Sequence, residues 1–209
     1  MNVNEKIAIL GSLLPDRDTP LSVGAMSTQE RSGNYYNPGG RVLTYLAIPF
    51  HHPRKDVMIA RAVVVSALQM AMLQMDKIHT YSPITACLPL SKVFFREHPD
   101  DDAFWLDFDK TLLIRCSEMR VVEIPGFEDS KGVRIEREFC EHYNIPVGRI
   151  EWDYLSESTG GGPYGMSRVC KFYKMVYGKG MSVMTAFDHA KLEPHMGNSM
   201  RGLIQCLLN

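Results

Sequence analysis

Metal-ligand spacing is missing from this chain. Its cysteines, at 87, 116, 140, 170 and 206, include no Cys-x-x-Cys pair. Their odd number reads as free thiols in a reducing cytosol. His51-His52 is the one close histidine pair, and adjacent residues rarely ligate one ion, so no metal is expected. The turn after the first strand lacks a Gly-x-Gly-x-x-Gly fingerprint. That disfavours a dinucleotide redox cofactor, and no cofactor is expected at all. Charge of one sign is missing too. A net charge of −1 and a pI of about 6.6 give no electrostatic reason to expect duplex nucleic acid. No apolar run reaches the ~18 to 20 residues of a membrane span. Met1 to Leu14 lacks the basic start and long apolar core of a secretory signal. A cytoplasmic protein without a membrane partner is expected.

What is present suits one globular domain: 209 residues, 45% hydrophobic and 22% charged, with length to spare for appendages. Residues 1–40 hold many Pro, Ser, Gly, Asn and Asp from Pro15 onward and read as an N-terminal arm. The pattern then changes. Arg41 to Ile48 is a short apolar run between Gly39-Gly40 and Pro49, which predicts a strand. Val57 to Met75 lacks Gly and Pro and predicts a helix. Lys77 to Ser82 predicts a strand, and 83–101 a loop with a short helix. Asp102 to Cys116 predicts a helix, Met119 to Ile124 a strand, Ser130 to Tyr143 a helix capped by Ser130, and Val147 to Trp152 a strand.

Alternating strands and helices indicate an α/β fold, a doubly wound parallel sheet of flavodoxin-like type over 41–152. Ligand belongs beyond the carboxyl ends of the strands, near the order switch. Residues 153–209 read as a C-terminal helical extension. It starts with a glycine-rich hinge at 158–165, continues with helices at Met166 to Tyr177 and Met200 to Leu208, and is rich in methionine suited to packing or oligomer contacts.

Two carboxylates stand out. Glu136 shares a helix face with Val133, Phe139, Cys140 and Tyr143. Asp109 shares one with Trp105, Leu112, Leu113 and Cys116. A carboxylate on an apolar face is costly unless something uses it. The alternatives are a surface glutamate and a buried structural aspartate. The second helical turn places Glu136 near the positive end of the dipole, which favours its ionised form. Paired inward carboxylates suit acetal cleavage. Tyr45 is a core residue or a phenol bonded to a carboxylate. His51 and His52 follow the first strand and are either loop residues or ligands for a phosphate or hydroxyl. Gly126, Ser130 and Gly132 surround a helix start, whose free amides attract anions.

These pieces together resemble the nucleoside 2-deoxyribosyltransferase superfamily, closest to its nucleotide N-hydrolase branch and related phage and bacterial proteins. The matching elements are Thr44-Tyr45-Leu46-Ala47, Tyr81-Ser82-Pro83-Ile84-Thr85, Asp109-x-x-Leu112-Leu113-x-x-Cys116, Val121-Val122, Pro125-Gly126-Phe127 and Ser130-x-Gly132-Val133-x-x-Glu136. The resemblance implies a nucleophilic glutamate at Glu136, an assisting aspartate at Asp109, an active-site tyrosine at Tyr45 and a phosphate-binding serine at Ser130. It implies cleavage of the N-glycosidic bond of a nucleoside or nucleoside 5′-monophosphate, by hydrolysis or base exchange, and a homo-oligomer. Pro49 and His51 stand where the nucleotide-acting branch has a serine and an arginine, and Ser117 replaces a second aspartate. A nucleotide-binding module without turnover, or an assembly protein, is the rival expectation.

Overall fold

A computed structural model describes residues 43–87, 102–157, 165–192 and most of 201–208. The expected arm at 1–40, residues 88–101, most of the hinge and Cys206 lie outside the described residues.

Strand β1 is Leu43–Ala47, buried from Thr44 onward. Helix α1 is Lys55–Ala71, prolonged by a π-helical turn at Met72–Asp76, and Lys77 ends it in the left-handed conformation. Strand β2 is His79–Tyr81, followed by a helical turn over 83–87. Helix α2 is Asp102–Leu113, β3 is Glu118–Glu123 and α3 is Lys131–His142. Strand β4 is Val147–Glu151. Helices α4 (Trp152–Glu157), α5 (Met166–Tyr177) and α6 (Val183–His189) follow.

The four strands are all parallel, in the order β2-β1-β3-β4. The sequence of connections reverses direction between β1 and β3, which is the switch point of a flavodoxin-like sheet. Helices on both faces make the α/β fold doubly wound. Tyr45 sits at register with Tyr81 on one side and Met119 on the other.

Strand alternation divides the interior into two cores. Leu46, Ile48, Val122 and Ile124 pack under α1, α5 and α6. Tyr45, Ala47, Met119 and Val121 pack under α2 and α3 with Leu113, Val133 and Cys140. The C-terminal extension therefore supplies a large part of the first core: Val169, Phe172, Tyr173, Val176 and Phe187 are buried there. Asp56, in the first turn of α1, accepts the Val183 amide at 2.8 Å and ties α6 to that helix.

The sequence-based reading of apolar runs needs a correction here. Lys55–Gln74 is long and apolar enough to cross a membrane by length and composition, and 67% of its apolar window is buried in the protein. The sheet, α5 and α6 all pack against this helix, so most of its faces are apolar. Arg61, Ser66 and Gln69 interrupt the run. Helices α4 and α6 were also unforeseen. Both are short, six and seven residues, too brief for a helical period to show in the sequence.

Candidate active site

A cavity of about 480 Å³ opens at the carboxyl end of β1 and beside the start of α3. Its wall takes Leu46 to Ile48, Phe50 and His51 from β1 and the turn after it. Pro83, Ile84 and Cys87 come from the segment following β2, and Trp105, Leu106 and Asp109 from α2. Asp129 to Val133 and Glu136 come from the start of α3. The place is the switch point, and the volume is in the range of small-ligand sites.

The start of α3 is set locally. Ser130 is extended, and its Oγ accepts the Val133 amide at 3.4 Å, which begins the helix. One face of α3 then turns Val133, Glu136 and Cys140 inward. Glu136 is 7% exposed, and Tyr45, fully buried on β1, donates its Oη to Glu136 Oε1 at 2.6 Å. On α2, Asp109 is also 7% exposed. The Cys87 thiol donates to its Oδ1 at 3.7 Å, and Tyr81 Oη lies 3.8 Å from the same sulfur. Tyr45 and Tyr81 pack ring to ring at 5.7 Å. Both carboxylates therefore face one cavity, each with a buried proton donor beside it.

Burial dominates their electrostatics. It pushes Glu136 up to about 8, against the pull of the Tyr45 hydrogen bond, and the Asp109 charge adds to the rise. The expectation of a dipole-stabilised carboxylate at Glu136 is thus corrected. The dipole fades within the first turn, and desolvation outweighs it. Asp109 rises to about 6, again through burial, held down by hydrogen bonds from Cys87 and Tyr81. The Tyr45 hydroxyl is held well above its ordinary pKa by burial and then by the Glu136 charge, so it stays a donor. The Cys87 thiol is pushed up to about 11 by burial and by Asp109, so it too keeps its proton.

Of the residues singled out in the sequence, Glu136, Asp109, Ser130, Gly132 and His51 line the cavity, and Tyr45 bonds to one of its acids. Gly132 leaves the approach to the helix start open: a Cβ there would meet Ser130 Oγ only at 4.0 Å. Gly126 and His52, expected as ligand-binding residues, are not in the wall. Gly126 adopts φ +88° and turns toward Arg61 and Tyr177 on the other face of the sheet. The His52 Nδ1 accepts the Arg54 amide at 3.0 Å and its ring packs near Tyr177, which draws it to that same face. Cys87 and Tyr81 had not been foreseen as partners of Asp109. Cys87 sits in a stretch without periodicity, and nothing in its neighbours marks it. Among the described residues, no three His, Cys, Asp or Glu side chains gather to hold a metal ion.

In comparison with known proteins, residues 42–152 match a domain of unknown function (DUF1937). No curated protein matches the chain. The matched span holds β1 to β4 and every residue of the cavity wall, and it stops before α5 and α6.

Proposed function

The chain belongs to the DUF1937 family, and we propose that it cleaves the N-glycosidic bond of a nucleoside or nucleoside 5′-monophosphate. The observation that carries this reading is the pair of inward carboxylates, Glu136 and Asp109, on one cavity wall. The resemblance of the Ser130-x-Gly132-Val133-x-x-Glu136 element to the nucleoside 2-deoxyribosyltransferases supports it. In this mechanism Glu136 attacks C1′ of the sugar as a carboxylate. The C1′–N bond breaks through an oxocarbenium-like transition state, and the bonding pair leaves with the base. Asp109, already ionised at the pH where Glu136 is a carboxylate, stabilises the positive charge developing on the sugar, and the departing base takes its proton from water. Tyr45 steadies Glu136 through its hydroxyl. Water or a second base then releases the sugar from Glu136. The amides at the start of α3, with Ser130, suit the 5′-phosphate, and His51 lies on the same wall.

The test is incubation with a panel of deoxynucleoside and ribonucleoside 5′-monophosphates and their nucleosides, with the free base separated by chromatography. Base release that disappears in Glu136→Gln, with the fold intact, is the expected result. Turnover close to wild type in that variant removes the mechanism. The raised pKa of Glu136 favours a second reading, a nucleotide-binding module in which a protonated Glu136 serves as a hydrogen-bond donor. Saturable binding without base release at any pH from 6 to 9 selects that reading.

A further inference from the structure

Arg61, in the middle of α1, is 2% exposed. Among the described residues no carboxylate pairs with its guanidinium. Burying such a charge is costly, and its hydrogen bonds show what it holds. Its Nη1 donates to the carbonyl oxygens of Phe50 at 3.3 Å and His51 at 2.8 Å. Both residues belong to the turn after β1, and both line the cavity of Glu136. Its Nε donates to Tyr173 Oη on α5 at 3.2 Å. That hydroxyl in turn donates to the carbonyl oxygen of Pro125, in the turn after β3, at 3.3 Å. Burial holds the Tyr173 pKa above its ordinary value, against the pull of Arg61, so the hydroxyl keeps the proton it donates.

Strands β1 and β3 are neighbours on the two sides of the switch point. Their turns make two rims of the cavity. The first carries Phe50 and His51, and the second runs on to Asp129 and the start of α3. Arg61 and Tyr173 join these rims from the core under α1 and α5, and neither side chain lines the cavity itself. Gly126 suits the junction, because a Cβ there would stand 3.1 Å from Arg61 Nη2. The guanidinium thus packs against bare backbone. Tyr173 lies beyond the family match of residues 42–152, so the C-terminal extension reaches the site through this bridge.

We propose that Arg61 and Tyr173 are positioning residues: by joining the turns after β1 and β3 they fix the spacing of the cavity's rims and so its grip on a ligand. The expression of that grip as substrate affinity rests on the glycosidase reading, and the bridge itself is testable without it. Glu136 and Tyr45 belong with the other core. Loosened rims should therefore weaken binding and spare the chemical step.

Tyr173→Phe keeps the ring against Trp152 and Tyr177 and removes both hydrogen bonds of the hydroxyl. Amide hydrogen exchange is read by NMR on the full chain without ligand. It should speed up by about tenfold at Arg54, Phe127 and Ser130, amides of the two turns, while α1 and α5 keep their protection. In the base-release assay KM should rise by about tenfold, the scale of one hydrogen bond to a charged group, with kcat within about twofold and its pH profile unmoved. Phe172→Leu, a substitution in the same helix at a side chain without hydrogen bonds, should leave the three amides and KM unchanged. Unchanged exchange at the turns in Tyr173→Phe overturns the proposal. So does a rise spread evenly through α1 and α5, or loosened turns with an unaltered KM. If the wild type releases no base, the glycosidase reading fails alone, and the exchange rates still decide for or against the bridge.

Discussion

Replacing Glu136 by glutamine should make this protein more stable in alkali. The carboxyl is nearly fully buried, and its pKa rises from 4.5 to about 8. The sign follows from proton counting. Between those two values the unfolded chain has released the proton and the folded chain still holds it. Stability therefore falls as pH rises through that window, and stays at the lower level above it. The shift corresponds to roughly 4 to 5 kcal/mol as an upper figure. That is a large part of the ~5 to 15 kcal/mol of a typical domain. Asp109 adds a smaller loss, spread from 3.8 to about 6. Glutamine is nearly isosteric and cannot ionise, and its Oε1 can still accept from Tyr45. Urea unfolding at pH 5, 7 and 9 measures the effect. The wild type should lose several kcal/mol between pH 5 and 9. Glu136→Gln should lose much less and exceed the wild type by about 3 kcal/mol or more at pH 9, with unchanged m-values. Equal stabilities at pH 9, or a wild type whose stability does not change from pH 5 to 9, would refute the burial argument.

Four further outcomes are expected. In the base-release assay, the acidic limb of kcat/KM should rise with pH through about 8, because attack requires ionised Glu136. Tyr45→Phe removes the buried hydrogen bond that stabilises the carboxylate and should move that limb up by about 1 to 2 pH units, as a pH–rate profile would show. Asp109→Asn should slow base release by about 10² to 10⁴ without unfolding the chain, measured by steady-state kinetics alongside circular dichroism. Phe172→Ala, at a fully buried position of α5, should cost about 3 to 5 kcal/mol in urea unfolding. A loss under 1 kcal/mol would show that the extension is dispensable to the core.

Much of this arrangement could be read from the residues. The strands announced themselves as short runs with β-formers next to Gly or Pro; β1, β2 and β4 fall within the spans expected for them, and β3 begins one residue early, at Glu118. The inward acids were legible because helical period is strict: a carboxylate three or four residues from Val133, Cys140 or Leu113 has to face what they face. The fate of those acids was not legible. Dipole and desolvation act on Glu136 in opposite directions, and only the depth of burial decides between them. Gly126 was misplaced because sequence shows a glycine at a turn but not which sheet face the turn addresses. Arg61 carried a signal that went unused, a lone cation inside Val-Met-Ile-Ala-Arg-Ala-Val-Val-Val. The part of α5 and α6 in the core was hidden because long-range packing leaves no local periodic mark beyond amphipathicity.

The two cores also differ in when they can close during synthesis. Among the described residues, the core under α2 and α3 draws on none beyond Ile145, so it can assemble while the ribosome is still extending the chain. Helix α1 is made early, yet its cover comes from residues such as Tyr173 and Phe187, more than a hundred positions later. For that interval a helix apolar enough to enter a bilayer is exposed on a nascent chain. A chain halted at residue 157 would keep that apolar face uncovered and open to aggregation.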